Sequence, residues 1–408
     1  MTPDLETRLS RLADLARDAR SELRCDVEWG GRTLTTYNAG RRRGEVRFGP
    51  FGRDLLISAL LLGDEAFTRD ALRFVAATLG RTADPQTGEE PGRAIHEFRD
   101  VATRGQSTRY DAAEASLLFL IAADDYSERE AGDAVLDELH GSLRAAVQYV
   151  RRHMVDGLFV EDPAFCGASR YALRATYWKD SHLPGRDDPA YPVVYSLAQA
   201  QAIAALRAAR DLAWRCGESW GEWIDSLTAE ATRALNTTLW DAEEGRPWIA
   251  VDRQGPVGGL ASDALHILAY LQEGDLRSCR VRSIAEQAEQ LATPVGLRTF
   301  APGQAEYDRR AYHLGAIWPF EQAALAWGAE RHGCAEIVDV ACRVAAALES
   351  VGFAELVYWS DESGLEGALA EDDGCDLQLW STCAPTSLAR SLRRVSSSGG
   401  CGTTECRA

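Results

Sequence analysis

The sequence lacks the short motifs that mark several large enzyme classes. It contains no G-x-G-x-x-G turn, no Walker A phosphate loop and no H-E-x-x-H zinc motif, and its seven histidines are scattered. Functions that depend on dinucleotides, nucleotides or a zinc peptidase centre therefore have no support. The ten cysteines include no C-x-x-C pair, which favours buried, reduced thiols over a zinc framework. We expect neither a metal nor a cofactor.

Long apolar runs and an excess of positive charge are also missing. No stretch approaches the roughly 18 apolar residues that a membrane span needs, and the N-terminal residues are charged where a secretion signal would be apolar. The formal charge of −18 repels phosphate backbones and anionic lipids. The expected protein is cytoplasmic, with a small neutral molecule rather than nucleic acid or a membrane as its partner. The oligomeric state leaves no signal in the sequence.

What the sequence does contain is helical periodicity. Of the 408 residues, 46% are hydrophobic and 26% charged, which permits a large core. Apolar residues recur at helical spacing in about twelve segments, and residues 26–48 alternate as a small β hairpin would. Short turns alternate with long loops at 81–108, 154–190, 240–260, 292–311 and 351–375.

Six helical hairpins with their long loops at one end describe an all-α (α/α)6 toroid, with a funnel where the loops meet. No Pro- or Ser-rich linker divides the chain. We therefore expect one domain over residues 1–394 and a flexible tail over residues 395–408.

The long loops place carboxylates beside aromatic residues. Asp180 follows Trp178, Glu355 precedes Tyr358, and Asp54 opens a helix after a phenylalanine. Two carboxyl groups suffice for glycoside hydrolysis, one protonating the leaving oxygen and the other activating water or attacking the anomeric carbon. Aromatic faces suit the apolar faces of sugar rings. The loops thus predict a carbohydrate site.

In their order, these segments resemble the glucosidase domain of the glycogen-debranching-enzyme (amylo-α-1,6-glucosidase) type. The resemblance runs over about residues 48–390 and rests on Phe51–Ser58, Gly88–Glu97, Tyr110–Leu120, Trp178–Ser181, Gly296–Thr299, Tyr312–Pro319, Gly352–Leu356 and Gln378–Ser381. It implies an (α/α)6 fold, with Asp180 as the general acid and Glu355 as the general base. Arg53 and Asp54 match positions that hold hydroxyls of the terminal sugar. The other candidate substrate contacts are Glu114, Trp178, Lys179, His313, Trp318 and Glu321, the last also being the substitute base.

Two departures from that family bear on the substrate. The helix that begins near Pro192 carries no carboxylate over Val193–Gln199, and Ala354 stands where a proline commonly precedes the base. The sequence shows no counterpart of the β-rich and transferase portions of debranching enzymes, and we therefore expect a small glycoside rather than a polymer as the substrate.

We therefore predict an inverting hydrolase that releases a terminal α-glucosyl or similar residue. Inversion predicts a separation of roughly 6.5 to 9.5 Å between the two carboxyl groups. Two alternatives stay open. A sugar epimerase or isomerase on the same toroid would use histidines such as His182, His266 and His313. A non-catalytic carbohydrate-binding relative would bind without turnover.

Overall fold

The fold is rich in helix. The computed structural model describes residues 3–129, 132–367 and 374–397. Within these ranges the α-helices are α1 (Pro3–Ser21), α2 (Gly52–Leu62), α3 (Glu65–Thr78), α4 (Ala115–Ser127), α5 (Gly132–His153), α6 (Ser196–Cys216), α7 (Gly221–Thr237), α8 (Asp263–His266), α9 (Ser278–Gln287), α10 (Pro319–Arg331), α11 (Ala335–Cys342), α12 (Val344–Val351) and α13 (Ala384–Ser397). None of them is both long and apolar enough to cross a bilayer.

Alternate helices form a layer that is buried nearly all round. α2, α4 and α10 bury almost every residue, whereas α3, α7 and α11 bury only some of theirs. Each buried helix packs on the helix that follows it: α2 on α3, α4 on α5, α6 on α7, α8 on α9 and α10 on α11. Helices of the first group are therefore enclosed by protein on all sides. Helices of the second group have one face in solvent and need only one apolar stripe.

The buried helices contact one another in a closed circuit. α2 contacts α4, α4 contacts α6, α6 contacts α8, and α8 contacts α10. α10 then contacts the 3₁₀ turn Trp380–Cys383 ahead of α13, and this turn contacts α2. α1 packs on α13, so the first and last helices of the described chain lie side by side. One continuous apolar cluster fills the space between the elements.

Short antiparallel strands occupy the connections. They are β1 (Arg24–Trp29), β2 (Arg32–Tyr37), β3 (Gly40–Arg42), β4 (Glu45–Phe48), β5 (Ala102–Thr103), β6 (Gln106–Ser107), β7 (Met154–Val155), β8 (Leu158–Phe159), β9 (Val194–Tyr195), β10 (Trp240–Asp241), β11 (Arg246–Pro247), β12 (Ala250–Asp252), β13 (Gly255–Val257), β14 (Ala292–Thr293), β15 (Gly296–Leu297), β16 (Val357–Ser360), β17 (Gly364–Gly367) and β18 (Leu377–Gln378). β18 pairs with β3, and β9 with β12; each of the other pairings joins consecutive strands.

The β content is larger than the single hairpin predicted over residues 26–48. That region holds two hairpins, β1–β2 and β3–β4, and further hairpins stiffen the long loops. Their turns use positive φ, as at Asp156 (51°) and Gly157 (78°) between β7 and β8, which suits a two-residue turn. The all-α prediction therefore holds for the packed layers and fails for the loops, because two-residue strands leave no alternation in the sequence.

Several predicted helices begin too early. The segments predicted at 109–124, 191–214 and 312–332 start at Ala115, Ser196 and Pro319, and the helix predicted at 261–273 is one turn, α8, followed by a 3₁₀ turn. The residues ahead of these starts are largely buried, so apolar periodicity does not mark where each helix begins. α13 runs to Ser397, which makes residues 395–397 of the predicted tail helical; residues 398–408 lie outside the described ranges.

A buried ion network fixes the 80–97 loop to its neighbours. The Arg93 guanidinium donates to Glu90 at 2.9 Å and to both carboxylate oxygens of Glu161 at 2.9 and 3.0 Å. His153 lies 2.9 Å from the second Glu90 oxygen, and Tyr171 donates to Glu161. Three residues after Arg93, the same loop reaches the cavity described below. The network therefore fixes the position of this part of the cavity wall.

Replacing Arg93 with methionine should destabilise the fold strongly, because Glu90 and Glu161 would stay buried without the cation that pairs with them. Breaking a buried pair typically costs about 3–5 kcal/mol. Urea unfolding of Arg93→Met measures the loss. Arg73→Met is the matched control, because its pair with Glu138 is 42% and 49% exposed and such pairs contribute about 1 kcal/mol or less. Equal losses in the two variants would contradict this role for the network.

Candidate active site

A cavity of about 650 Å³ opens among the loops at the N-terminal ends of α2 and α10. Its wall combines carboxylates, arginines, histidines and aromatic rings. The lining residues are Ala39, Arg47, Phe48, Phe51, Arg53, Asp54, His96, Glu97, Val101, Thr103, Thr108, Leu173, Trp178, Asp180, Ser181, Arg310, Tyr312, His313, Trp318, Glu355, Tyr358, Gln378 and Trp380. Both predicted catalytic residues, Asp180 and Glu355, are among them.

The Asp180 carboxyl group lies beside Arg53. Arg53 Nη2 donates to Asp180 Oδ2 at 2.9 Å, and His96 Nε2 lies 3.8 Å from the same oxygen. The side chain is 20% exposed. Burial raises the pKa of Asp180 above its ordinary value, although the charge of Arg53 acts in the opposite direction. Asp180 can therefore hold a proton at a higher pH than a solvated aspartate.

Arg53 holds two other carboxyl groups. Its Nη1 donates to Glu114 at 3.1 Å, and its Nε lies 3.9 Å from Asp54 Oδ1. The guanidinium is nearly inaccessible to solvent. Burial by itself lowers the pKa of Arg53, but the three neighbouring carboxyl groups outweigh this effect and raise the pKa above its ordinary value. A buried arginine of this kind is a fixed positive charge.

Glu355 has a separate set of partners. Tyr312 Oη donates to Oε1, and the Cys375 backbone N–H donates to Oε2 at 2.8 Å. The Glu355 backbone N–H also donates to the Cys375 carbonyl at 3.0 Å, which clamps the two segments together. Burial raises the pKa of Glu355 to about 7, against the lowering effect of its two donors.

Asp54 is one of two further carboxyl groups in the cavity wall, the other being Glu97. Gln378 Nε2 donates to its Oδ2 at 3.2 Å. Burial raises the pKa of Asp54 to about 8, with the charges of Glu355 and Asp180 adding to the effect and Arg53 opposing it. This mutual influence reflects the proximity of Asp54, Asp180 and Glu355 within the cavity.

Several buried polar atoms of the lining have no hydrogen-bond partner within the described residues. They are Arg53 Nε, Asp54 Oδ1, Trp178 Nε1, Gln378 Oε1 and Trp380 Nε1. Buried polar groups are normally paired, so these donors and acceptors beside the cavity are available to bind solvent or a ligand. A sugar with hydroxyl groups on successive carbons offers both kinds.

Aromatic rings support this wall. Trp178 meets His313 and Trp318 edge to face at 5.3 and 5.6 Å, and His313 stacks on Trp318 at 5.3 Å. Burial lowers the pKa of His313 well below its ordinary value, and that of His96 likewise, which favours the neutral form of both rings. His313 Nδ1 lies 2.8 Å from Ser181 Oγ, which ties this cluster to the Asp180 loop.

Three predicted substrate contacts lie outside the cavity lining. The Lys179 side chain reaches Ser262, Asp263 and Thr299 behind the wall. Glu114 is occupied by Arg53, and Glu321 is fully buried with Ser262 Oγ donating to it at 2.6 Å. The structure thus gives these side chains protein partners behind the lining, where the sequence predicted sugar contacts and, for Glu321, a substitute base. Sequence spacing placed them near the site but could not give the direction of each side chain.

Sequence reasoning assigned no role to Tyr312, Gln378 and Trp380, although each lay in a segment that carried the resemblance. Of the histidines considered for isomerase chemistry, only His313 lines the cavity; His182 pairs with Glu306 at 2.8 Å. The G-x-S-x-G pentapeptide at 217–221 joins α6 to α7, away from the lining. It lacks the strand–turn–helix setting of a nucleophile elbow.

Carboxyl groups with separate partners line one sugar-sized cavity among the loops that connect paired helices, an arrangement that suits a glycoside hydrolase. The model of the mannosylglycerate hydrolase MGH1-like glycoside hydrolase domain matches residues 167–374, and the chain belongs to that family. The glycogen-debranching type is not singled out by this match. No curated protein matches the sequence.

Solved structures agree with the fold. The GH63 mannosylglycerate hydrolase from Thermus thermophilus in complex with glucose aligns with a TM-score of 0.66 at 15% identity, covering 92% of this chain and 99% of that one. Its complex with Tris and D-glycerate gives 0.64 at 15%, covering 93% and 99%. A wild-type glycosidase gives 0.61 at 13%, covering 97% and 99%. At these identities the likeness is one of fold.

The Glu355→Gln variant should differ from the wild type in how stability depends on pH. The folded pKa of Glu355 is about 7 and the unfolded value about 4.3. Between these values the folded state binds the extra proton, so wild-type stability falls as pH rises through the window. Between pH 4.5 and pH 8, the free energy of unfolding of the wild type should fall by on the order of 2–4 kcal/mol relative to that of the variant.

Urea unfolding of both proteins at several pH values measures this difference. Glu362→Gln, at an exposed position, controls for the general effect of removing a carboxylate. A constant difference between wild type and Glu355→Gln across the window would contradict burial of a titrating Glu355.

Proposed function

We propose that this protein is an inverting glycoside hydrolase that removes a terminal α-hexosyl residue from a small glycoside. Asp180 donates a proton to the glycosidic oxygen, and Glu355 removes a proton from the attacking water. The observation that carries the proposal is that both groups line one cavity, while each is held by its own partners. Inverting hydrolysis needs two such groups on opposite sides of the anomeric carbon.

The surroundings of Glu355 suit a general base. Both of its oxygens accept hydrogen bonds, one from Tyr312 and one from the Cys375 N–H, and these donors favour the ionised form. Its pKa of about 7 makes it a useful proton acceptor near neutral pH. The raised pKa of Asp180 correspondingly supports a proton donor.

The reaction proceeds in one displacement. Water attacks the anomeric carbon and passes a proton to Glu355, while the bond to the leaving oxygen breaks and that oxygen takes the proton from Asp180. The sugar leaves with inverted configuration, and the second product is the free alcohol. Proton exchange with solvent then restores Asp180 as the acid and Glu355 as the carboxylate.

The open donors and acceptors of the wall would bind the terminal sugar. Asp54 and Gln378 offer oxygens, Arg53 and the two indole N–H groups of Trp178 and Trp380 offer donors. Glucose and mannose differ only at C2, and both fit this hydroxyl-binding description. The solved relative named for mannosylglycerate was captured with glucose, which is compatible with either sugar.

The leaving group is proposed to carry a carboxylate. Arg47 and Arg310 both line the cavity and are exposed to solvent, as residues near its mouth would be. Arg310 is oriented by Glu366 at 2.7 Å and by the Tyr358 ring at 6.0 Å. An arginine binds a carboxylate well, and D-glycerate is a ligand of the solved mannosylglycerate hydrolase. A glycosyl glycerate is therefore the proposed substrate.

The closed helix circuit supports the finer description of the fold as an (α/α)6 toroid in a single domain. α13 with its preceding 3₁₀ turn and α1 would supply the sixth pair. A cytoplasmic location stays a prediction from the sequence.

Incubation with α-mannosylglycerate and α-glucosylglycerate, followed by ¹H NMR of the anomeric protons, should show the β-sugar appearing first. Asp180→Asn and Glu355→Gln should each lower kcat by about 10²–10⁴-fold, the range for general acid or base catalysis. The kcat/KM of the wild type should fall about tenfold per pH unit below about pH 7, as Glu355 becomes protonated. The α-anomer appearing first, an epimerised sugar, or binding without turnover would contradict the proposal.

The Arg310→Met substitution should lower kcat/KM selectively for the substrate that carries a carboxylate. Losing one charge-assisted hydrogen bond costs about 1.5–3 kcal/mol, or roughly 10–100-fold in kcat/KM for α-mannosylglycerate. The neutral α-mannosyl glycerol should be affected less than about threefold. Arg309→Met is the matched control, because Arg309 shares Glu366 at 2.9 Å but lies outside the cavity lining. Equal losses on both substrates would count against the carboxylate contact.

A further inference from the structure

The chain contains a single lysine. All other basic side chains among its 44 Lys and Arg residues are arginines, and the one lysine is Lys179, directly before Asp180. It is only 2% exposed. Lysine is rarely buried unless its ammonium group is fully paired, so this position departs both from the composition of the chain and from the usual location of the residue.

The surroundings of Lys179 match an ammonium group. Its Nζ donates to Asp263, to Ser262 Oγ at 2.9 Å and to the Thr299 carbonyl at 3.1 Å. These are three acceptors for three N–H donors. The Trp178 ring adds a cation–π contact at 5.1 Å. A planar guanidinium presents five donors in a rigid fork and would not satisfy the same compact group of acceptors.

The contacts of Lys179 connect the Asp180 loop to two distant segments. Ser262 and Asp263 form the start of α8, and Thr299 follows β15. On the cavity side, Asp180 is held by Arg53 at 2.9 Å. The loop is therefore fastened from both sides, by Lys179 behind the wall and by Arg53 in front of it.

We propose that Lys179 is a positioning residue for the general acid. Its three bonds fix the backbone at 179, and this fixes the direction in which the next side chain, Asp180, enters the cavity. The inference rests on the proposed role of Asp180. A displacement of about 1 Å in a reacting group can cost on the order of 100-fold in rate, so a fixed backbone at this point has a direct catalytic consequence.

The test compares two leaving groups. The leaving group of 2,4-dinitrophenyl α-mannoside departs without protonation, whereas the leaving group of methyl α-mannoside needs a proton from the general acid. If the enzyme accepts glucose instead, the matching α-glucosides are used. The variant is Lys179→Met combined with Asp263→Asn, which removes both charges and keeps an oxygen at 263. The control is Arg207→Met with Asp275→Asn, an ion pair at 2.6–2.7 Å outside the cavity lining.

The Lys179 double variant should lose roughly 10–100-fold in kcat/KM on the methyl glycoside and less than about threefold on the dinitrophenyl glycoside. The control double variant should lose kcat/KM by the same factor on both glycosides, even if it is less stable than the wild type. If the Lys179 double variant does not fold, Lys179→Arg keeps a cation beside Asp263 and should show the same selective loss. Equal losses on the two substrates, or no loss, would overturn the proposal.

Asp180→Asn, measured on the same substrates, separates this proposal from the proposed function. If Asp180→Asn loses activity selectively on the methyl glycoside and the Lys179 variants do not, Lys179 has no positioning role and Asp180 remains the acid. If Asp180→Asn loses equally on both, the acid assignment itself fails. Selective loss in Glu355→Gln instead would reverse the two catalytic roles.

Discussion

The arrangement of the site depends on one buried cation. The Arg53 guanidinium stands at the start of α2 and holds Asp180, Glu114 and Asp54 around it. Each carboxylate would be costly to bury alone, and the arginine would be too. Together they can occupy a largely dehydrated wall, and burial in turn raises the pKa of both Asp180 and Asp54 above the ordinary value of an aspartate.

The two proposed catalytic carboxyl groups come from segments about 175 residues apart in the chain, and each is fastened by different means. Asp180 is held by Arg53 and by the bonds of Lys179 behind it. Glu355 is held by Tyr312 and by backbone bonds to Cys375. Because the two groups have different hydrogen-bond partners, they can differ in protonation while they share one cavity. This difference is required when an acid and a base act in a single displacement.

The helical layers and the enzyme class could be predicted from the sequence, whereas the bounds of individual elements and the directions of side chains could not. Helical periodicity predicts the helices with one solvated face well. Arg109–Glu114 and Tyr312–Trp318 precede the starts of α4 and α10 and are largely buried, so their apolar residues extend the predicted helices too far. Asp180 and Glu355 could be proposed as acid and base because their segments resemble those that carry these roles in the glucosidase family. The directions of Lys179 and Glu321 could not be read, since adjacent side chains can face a cavity or its supporting wall. Tyr312 and Gln378 were missed because their partners are distant in sequence.

A crystal structure of the Asp180→Asn variant with intact α-mannosylglycerate would test the central claim most directly. The account predicts residue 180 within hydrogen-bonding distance of the glycosidic oxygen and a water held by Glu355 on the opposite face of the anomeric carbon. The two carboxyl positions should be roughly 6.5 to 9.5 Å apart. A separation of about 5 to 5.5 Å without room for that water, the spacing of retaining enzymes, would contradict it.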